Sequence, residues 1–107
     1  MQYAIIAEFD ILPGKAAELE QLLHETAAYA LAEEPRCLRF DVLWPVDEHG
    51  QVIPDRLMTS ELFEGFAGVE AHRASPRTPP RVAHIRALVR NTRIIHAALI
   101  PAPARTA

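Results

Sequence analysis

The chain alternates between two hydrophobic periods. Residues Tyr3 to Leu12 place Tyr3, Ile5, Phe9 and Ile11 on one side and Glu8 and Asp10 on the other, the two-residue period of a strand. Pro13-Gly14 ends it. From Lys15 the spacing becomes i, i+3, i+4, i+7 through Leu19, Leu22, Leu23, Thr26, Ala27 and Ala30, which predicts a helix to about Glu33, stopped by Pro35. Glu18, Glu20 and Glu25 fall off that stripe and read as a solvated face. Cys37 to Trp44 returns to the strand period, with Leu38, Phe40, Val42 and Trp44 expected on one face and Arg39 and Asp41 on the other. A turn-rich stretch, Pro45 to Asp55, leads to a further strand over Arg56 to Phe63, so the two strands are expected to form a hairpin with a long loop. Gly65 to Ala74 suits a short helix, Pro76, Pro79 and Pro80 break the chain, Val82 to Val89 suits a second helical piece, and Thr92 to Ile100 a closing strand. Residues 101–107 read as a loose tail behind a single domain of residues 1–100.

The order is βαββαβ, a ferredoxin-like α+β arrangement with an antiparallel sheet. Two helices cover one face of such a sheet and leave the other bare. Here both faces of the first strand are apolar, since Ala4, Ile6 and Leu12 oppose Tyr3, Ile5, Phe9 and Ile11, and a homodimer follows as the expectation.

Composition narrows the classes. Half of the 107 residues are apolar and 23% are charged, the profile of one soluble globular domain. Apolar runs fall short of the roughly 20 residues of a membrane span, and Glu8 and Asp10 interrupt the only candidate for a signal-peptide core, so a cytoplasmic location with no membrane partner is expected. Cys37 is the sole cysteine, expected as a small, half-buried strand residue, and no histidine pair has metal-site spacing, so no metal is expected. Neither a P-loop nor a GxGxxG element is present.

Charge is unevenly placed. Residues 1–70 hold all 14 acids against four cations, whereas residues 71–107 hold seven arginines and no acid. The arginine series lacks interleaved aromatics and the whole chain is acidic, which argues against nucleic acid as a partner. Pairing of the basic third with the acidic two-thirds, within the chain or between subunits, explains the split more simply, and high salt should weaken the dimer if that pairing is between subunits.

Several segments together carry a resemblance: Ile6-Ala-Glu-Phe-Asp-Ile with Pro13-Gly-Lys15, Ala32-Glu-Glu-Pro-Arg-Cys-Leu-Arg-Phe-Asp-Val42, Ser60-Glu-Leu-Phe63 and Glu70-Ala-His-Arg-Ala-Ser-Pro76. Over about residues 3–90 the chain resembles the antibiotic-biosynthesis-monooxygenase family of small dimeric α+β barrels, which includes quinol-monooxygenase-like proteins and an isomerase-like branch. Three departures stand out. Thr26 and Ala30 occupy positions where many members carry asparagine and serine, Arg77 stands where a histidine is common, and the hairpin loop is longer.

The resemblance implies a cofactor-independent monooxygenase acting on a small hydroquinone or phenolic molecule. It places His72 at the family's pocket histidine, a base for removing a phenolic proton. Glu61, in mid-strand, is a candidate to orient His72 or to serve as acid and base itself. Arg77 is a candidate anion anchor, Trp44 and Phe63 candidate pocket aromatics, and His84 and His96 are each open to a pocket or dimer-seam role. His24 and His49 are expected in solvent. An isomerase-like proton shuttle on a small hydroxyketone would use the same groups. A non-catalytic ligand-binding dimer and a haem-degrading relative are the remaining readings.

Overall fold

A computed structural model describes residues 1–105. Its elements are β1 (Tyr3–Ile11), α1 (Ala16–Glu33), β2 (Cys37–Leu43), β3 (Arg56–Phe63), α2 (Phe66–Ala74), α3 (Thr78–Leu88) and β4 (Val89–Ala98). The four strands form one antiparallel sheet in the order β2-β3-β1-β4, the ferredoxin-like α+β fold expected from the βαββαβ pattern. The last two residues of the expected tail, 106–107, lie outside the described residues. No helix among the described residues is long and apolar enough to cross a membrane.

β1 and β3 alternate as their sequences require. Ile5, Ala7, Phe9 and Ile11 of β1 and Leu57, Thr59, Glu61 and Phe63 of β3 are all buried on the face the helices cover. At the end of β1, Pro13-Gly14 makes a tight turn in which Lys15 N donates to Leu12 O at 3.1 Å, with Gly14 at φ +78°. That left-handed conformation after a proline is open to glycine at little steric cost. α1 buries Leu19, Leu23, Thr26, Ala27 and Ala30 of the predicted stripe with Leu22 half-buried, while Glu18 and Glu25 stay in solvent and Glu20 is half-buried.

Two elements depart from the expected pattern. In β2 the pairing runs Cys37 to Phe63 and then Arg39 to Leu62, so a bulge at Leu38 shifts the alternation by one residue. Cys37 is therefore buried with Phe40, whereas Leu38 is turned out and Trp44, past the end of the strand, is 58% exposed. α3 begins four residues earlier than predicted, with prolines in its first turn. Pro79 and Pro80 do not break it, because amides at those positions would have no intrahelical acceptor. The helix runs directly into β4, which starts three residues before the predicted strand.

The long loop folds on itself. Val46 pairs with Val52, and the Asp47 carboxylate accepts from the His49 and Gln51 amides at 2.8 and 3.0 Å. α2 in turn sits unusually close to the chain entering β2: a Cβ on Gly68 would stand 3.0 Å from Arg36 Cβ and 3.2 Å from Phe63 Cβ. Gly68→Ala should therefore push α2 outward and cost about 1–3 kcal/mol by overpacking, measured as a lowered midpoint in chemical denaturation; an unchanged midpoint would show that the contact can relax.

Candidate functional site

Strand register sets the floor of a cavity. Across the sheet, Phe40 pairs with Glu61, Glu61 with Ile5 and Ile5 with His96, so these four side chains form one row on the helix-covered face. The adjacent row carries Thr59, Ala7 and Ile94. α1 closes one side with Leu23 and Thr26. α2 and α3 form the roof with His72, Thr78, Arg81 and Ile85, leaving a space of about 350 Å³. That size is at the lower end of ligand cavities, about 300–1,000 Å³.

His72 is the most constrained group in it. The imidazole lies against Phe63 and Phe40, with ring centroids 5.4 and 6.4 Å away. Nδ1 is 2.6 Å from Glu34 Oε1, and Nε2 is 3.6 Å from Glu61 Oε1. A carboxylate accepts hydrogen bonds, so Glu34 favours the proton on Nδ1 and leaves the Nε2 lone pair turned toward Glu61 and the cavity. His72 and Glu34 are both nearly buried, at 14% and 12% side-chain exposure. The other Glu34 oxygen, Oε2, is buried without a partner.

Glu61 is an acid placed where charge is costly. Burial pushes its carboxyl up from 4.5 to about 7; the nearby Glu34 adds to the rise, while the Thr59 hydroxyl, donating to Oε2 at 3.4 Å, and the Arg81 guanidinium moderate it. Close to neutrality Glu61 can thus hold or release a proton beside His72. Cys37 is driven the other way from reactivity, since burial first and then Glu34 and Glu61 raise its thiol to about 11.

The sequence-derived candidates separate into two groups. Glu61 and His72 meet in the cavity, and His96 lines it too, its Nδ1 lying 3.2 Å from the Tyr3 hydroxyl. Four others do not line it. Arg77 stacks on Tyr29 at 4.3 Å and borders a neighbouring cleft instead, because it stands at the α2–α3 break and points toward α1. His84 lies off the cavity-facing positions of α3 and contacts Glu18 Oε2 at 2.8 Å. Phe63 is fully buried in the core beneath His72, and Trp44 is carried into solvent beyond β2. The partner expected to orient His72 also changes, for Glu34 rather than Glu61 holds Nδ1. Sequence reasoning missed Glu34 and Arg81. Glu34 is 38 residues from His72, and its only signal is a carboxylate just past the end of a helix. His24 and His49 are exposed, and among the described residues no three His, Cys, Asp or Glu side chains are grouped as a metal site requires.

The raised carboxyl of Glu61 has a consequence for stability. Between about 4.5 and 7 the folded chain keeps a proton that the unfolded chain has lost, so Glu61 makes stability fall as pH rises through that window. Glu61→Gln should match the wild type near pH 4.5 and exceed it by on the order of 2–3 kcal/mol above pH 7, read from denaturation midpoints at several pH values. A variant that is less stable at pH 8 would instead mean that ionised Glu61 is held by a favourable ion pair.

Comparison with known proteins agrees with this architecture. The chain is similar in structure to Rv0793 from Mycobacterium tuberculosis, with 21% identity, a TM-score of 0.80 and coverage of 97% of this chain and 100% of that one. PA3566 from Pseudomonas aeruginosa has 23% identity and a TM-score of 0.77 over 94% of this chain and 95% of that one. SnoaB from Streptomyces nogalater, a cofactor-independent oxygenase, has 18% identity and a TM-score of 0.77, with the same coverage. No curated protein matches at the level of sequence. The family model described as antibiotic biosynthesis monooxygenase matches residues 2–79, which hold β1 through α2 together with Glu34, Glu61 and His72, and the chain belongs to that family.

Proposed function

We propose that the protein is a cofactor-independent monooxygenase that oxidises a small hydroquinone or phenolic substrate with dioxygen, with His72 as base. The observation that carries this reading is the Glu34–His72–Glu61 arrangement, an imidazole held through Nδ1 by one carboxylate and lying 3.6 Å from a second, largely buried one at the edge of a mostly apolar cavity. Its support from likeness is the family itself and the cofactor-independent oxygenase SnoaB among the similar structures.

Chemically, a hydroquinone needs little from such a protein beyond a base and a dry site. His72 Nε2 takes a hydroxyl proton, and the Glu34 carboxylate stabilises the imidazolium that forms. The resulting phenolate is electron-rich enough to reduce dioxygen. A hydroquinone and one dioxygen give a hydroxyquinone and one water: one oxygen atom enters at a ring carbon, the other leaves as water with two hydrogens from the substrate. All four electrons come from the substrate, so no separate reductant enters. Glu61, whose carboxyl is raised to about 7, supplies from its protonated form a proton toward the departing oxygen.

A second reading has its own observation. An imidazole 3.6 Å from a carboxyl that burial raises to about 7 also suits an isomerase-like proton shuttle on a small hydroxyketone. Oxygen consumption separates the two. Against a panel of hydroquinones the wild type should take up oxygen with one equivalent of product, His72→Ala should lower kcat by about 10²–10⁴-fold, and Glu34→Gln by less, with a displaced pH profile. Substrate loss without oxygen uptake would remove the monooxygenase reading and favour the shuttle.

The uncovered sheet face supports a homodimer. Ile6, Met58, Leu62 and Ile95 lie together on the side away from the helices and are only half-buried in the single chain. Sedimentation at micromolar concentration should give the dimer mass for the wild type and the monomer mass for Leu62→Lys; a wild-type monomer at that concentration would end the proposal.

A further inference from the structure

The cavity carries more positive charge than its acid–base pair requires. Thr78, Arg81, Val82, Ile85 and Arg86 of α3 all line it, at the 3–4 spacing of a single helical face. A face turned to a core would hold apolar residues at every one of these positions. Two of the five are arginines here, and Arg73 of α2 adds a third.

These guanidiniums are not used up within the chain. Among the described residues none of the three has a carboxylate oxygen within 4.0 Å. Arg81 is instead held in place: its Nη2 donates to Thr78 Oγ1 at 3.0 Å, and that hydroxyl donates to His72 O at 2.7 Å. Arg73 lies over the Phe66 ring at 5.9 Å. Of the carboxylates nearby, Glu34 is engaged by His72, Glu25 borders the neighbouring cleft that Arg81 also lines, and Glu61 lies beneath, on the sheet, against Thr59 and within the electrostatic reach of Arg81. The sheet wall opposite is apolar around Glu61 and Thr59, through Ile5, Phe9, Phe40 and Ile94, with His96 at its edge.

We infer that the cavity takes an anionic aromatic ligand, its ring body against the apolar wall and a carboxylate or phosphate substituent held by Arg81, with Arg73 and Arg86 at the rim. The inference rests on the reading of this cavity as the substrate site and names the chemical class it selects. A planar guanidinium matches either oxyanion with two parallel hydrogen bonds, and Arg81 is oriented before the ligand arrives. Arg73 lies within residues 2–79, the span matched by the family model, whereas Arg81 and Arg86 lie beyond it.

Binding can be measured without turnover. Fluorescence titration of the purified protein with hydroxynaphthoate, naphthyl phosphate and neutral naphthol should show either anion binding about ten-fold or more tighter than naphthol at low salt. Arg81→Gln and the more exposed Arg86→Gln should each remove most of that preference and leave naphthol affinity unchanged. Arg90→Gln, which deletes the same charge away from the cavity, should leave the preference intact. Whichever anion binds more tightly identifies the oxyanion. Equal affinity for anion and naphthol, or equal weakening by Arg90→Gln, would overturn the inference. The titration is repeated on His72→Ala, where the preference should persist. Anion preference with no oxygen uptake on any substrate would uphold this inference and sink the oxygenase reading, and oxygen uptake on neutral hydroquinones with no anion preference would do the reverse.

Discussion

The burial of Glu61 shapes everything around it. Strand pleating gives β3 no choice of face: with Leu57 and Phe63 in the core, Thr59 and Glu61 must point the same way. A carboxylate taken out of water costs several kcal/mol unless it is neutralised, bonded or paired. The chain uses a part of each remedy. The carboxyl keeps its proton to about pH 7, the Thr59 hydroxyl bonds it, and Arg81 lends positive potential from above. No apolar helix face could be laid directly on such a row, and a cavity roofed by histidine, threonine and arginine stands there instead.

The roof is assembled as one unit by the break between α2 and α3. Ser75-Pro76-Arg77 ends α2 one turn after His72, leaving carbonyls at that helix end without intrahelical partners. Thr78 donates its hydroxyl to His72 O, and Arg81 donates to the Thr78 oxygen, so the backbone of His72 is tied to a guanidinium one turn into α3. From the other side Glu34, just past the end of α1, grips the imidazole. The close approach of Gly68 to Arg36 brings these two chain segments near enough for that contact. A single long helix in place of α2 and α3 would lose this cross-link.

Wherever one period governed a segment, its structure was legible from the residues. β1, β3 and α1 bury the side chains that their spacing selects, because each has a single apolar face and a single partner layer. Period alone could not find the bulge at Leu38, since Leu38, Phe40 and Val42 alternate correctly on paper and only the pairing with β3 shows the extra residue. The start of α3 was hidden because Pro79 and Pro80 break a helix interior but suit a first turn, and the distinction depends on where the helix begins. At the site, His72 and Glu61 were legible as an unusual pair of residue types on regular elements. Glu34 was not, because its role depends on an end-of-helix geometry and a partner far away in sequence. Arg77 was favoured over Arg81 by its family position, yet Arg77 meets the Tyr29 ring first.

The division of charge along the chain takes on a different meaning once the fold is known. If the arginines after residue 70 served to neutralise the acids before it, they would stand against the acidic face of α1 or the hairpin. Among the described residues none of them has a carboxylate oxygen within 4.0 Å: Arg77 borders a cleft with Glu25 but stacks on Tyr29, Arg93 faces Glu8 across neighbouring strands, and the basic group that meets α1 directly is His84, against Glu18. Arg73, Arg81 and Arg86 converge on the cavity, where low polarity strengthens each charge and burial raises the carboxyl of the acid beneath to about 7. An internal balance would have cost the site its field. Leaving these cations without carboxylate partners within the chain keeps the positive potential directed into the space above Glu61 and His72, and the acids on α1 and the hairpin bring the net charge of the whole chain to -3.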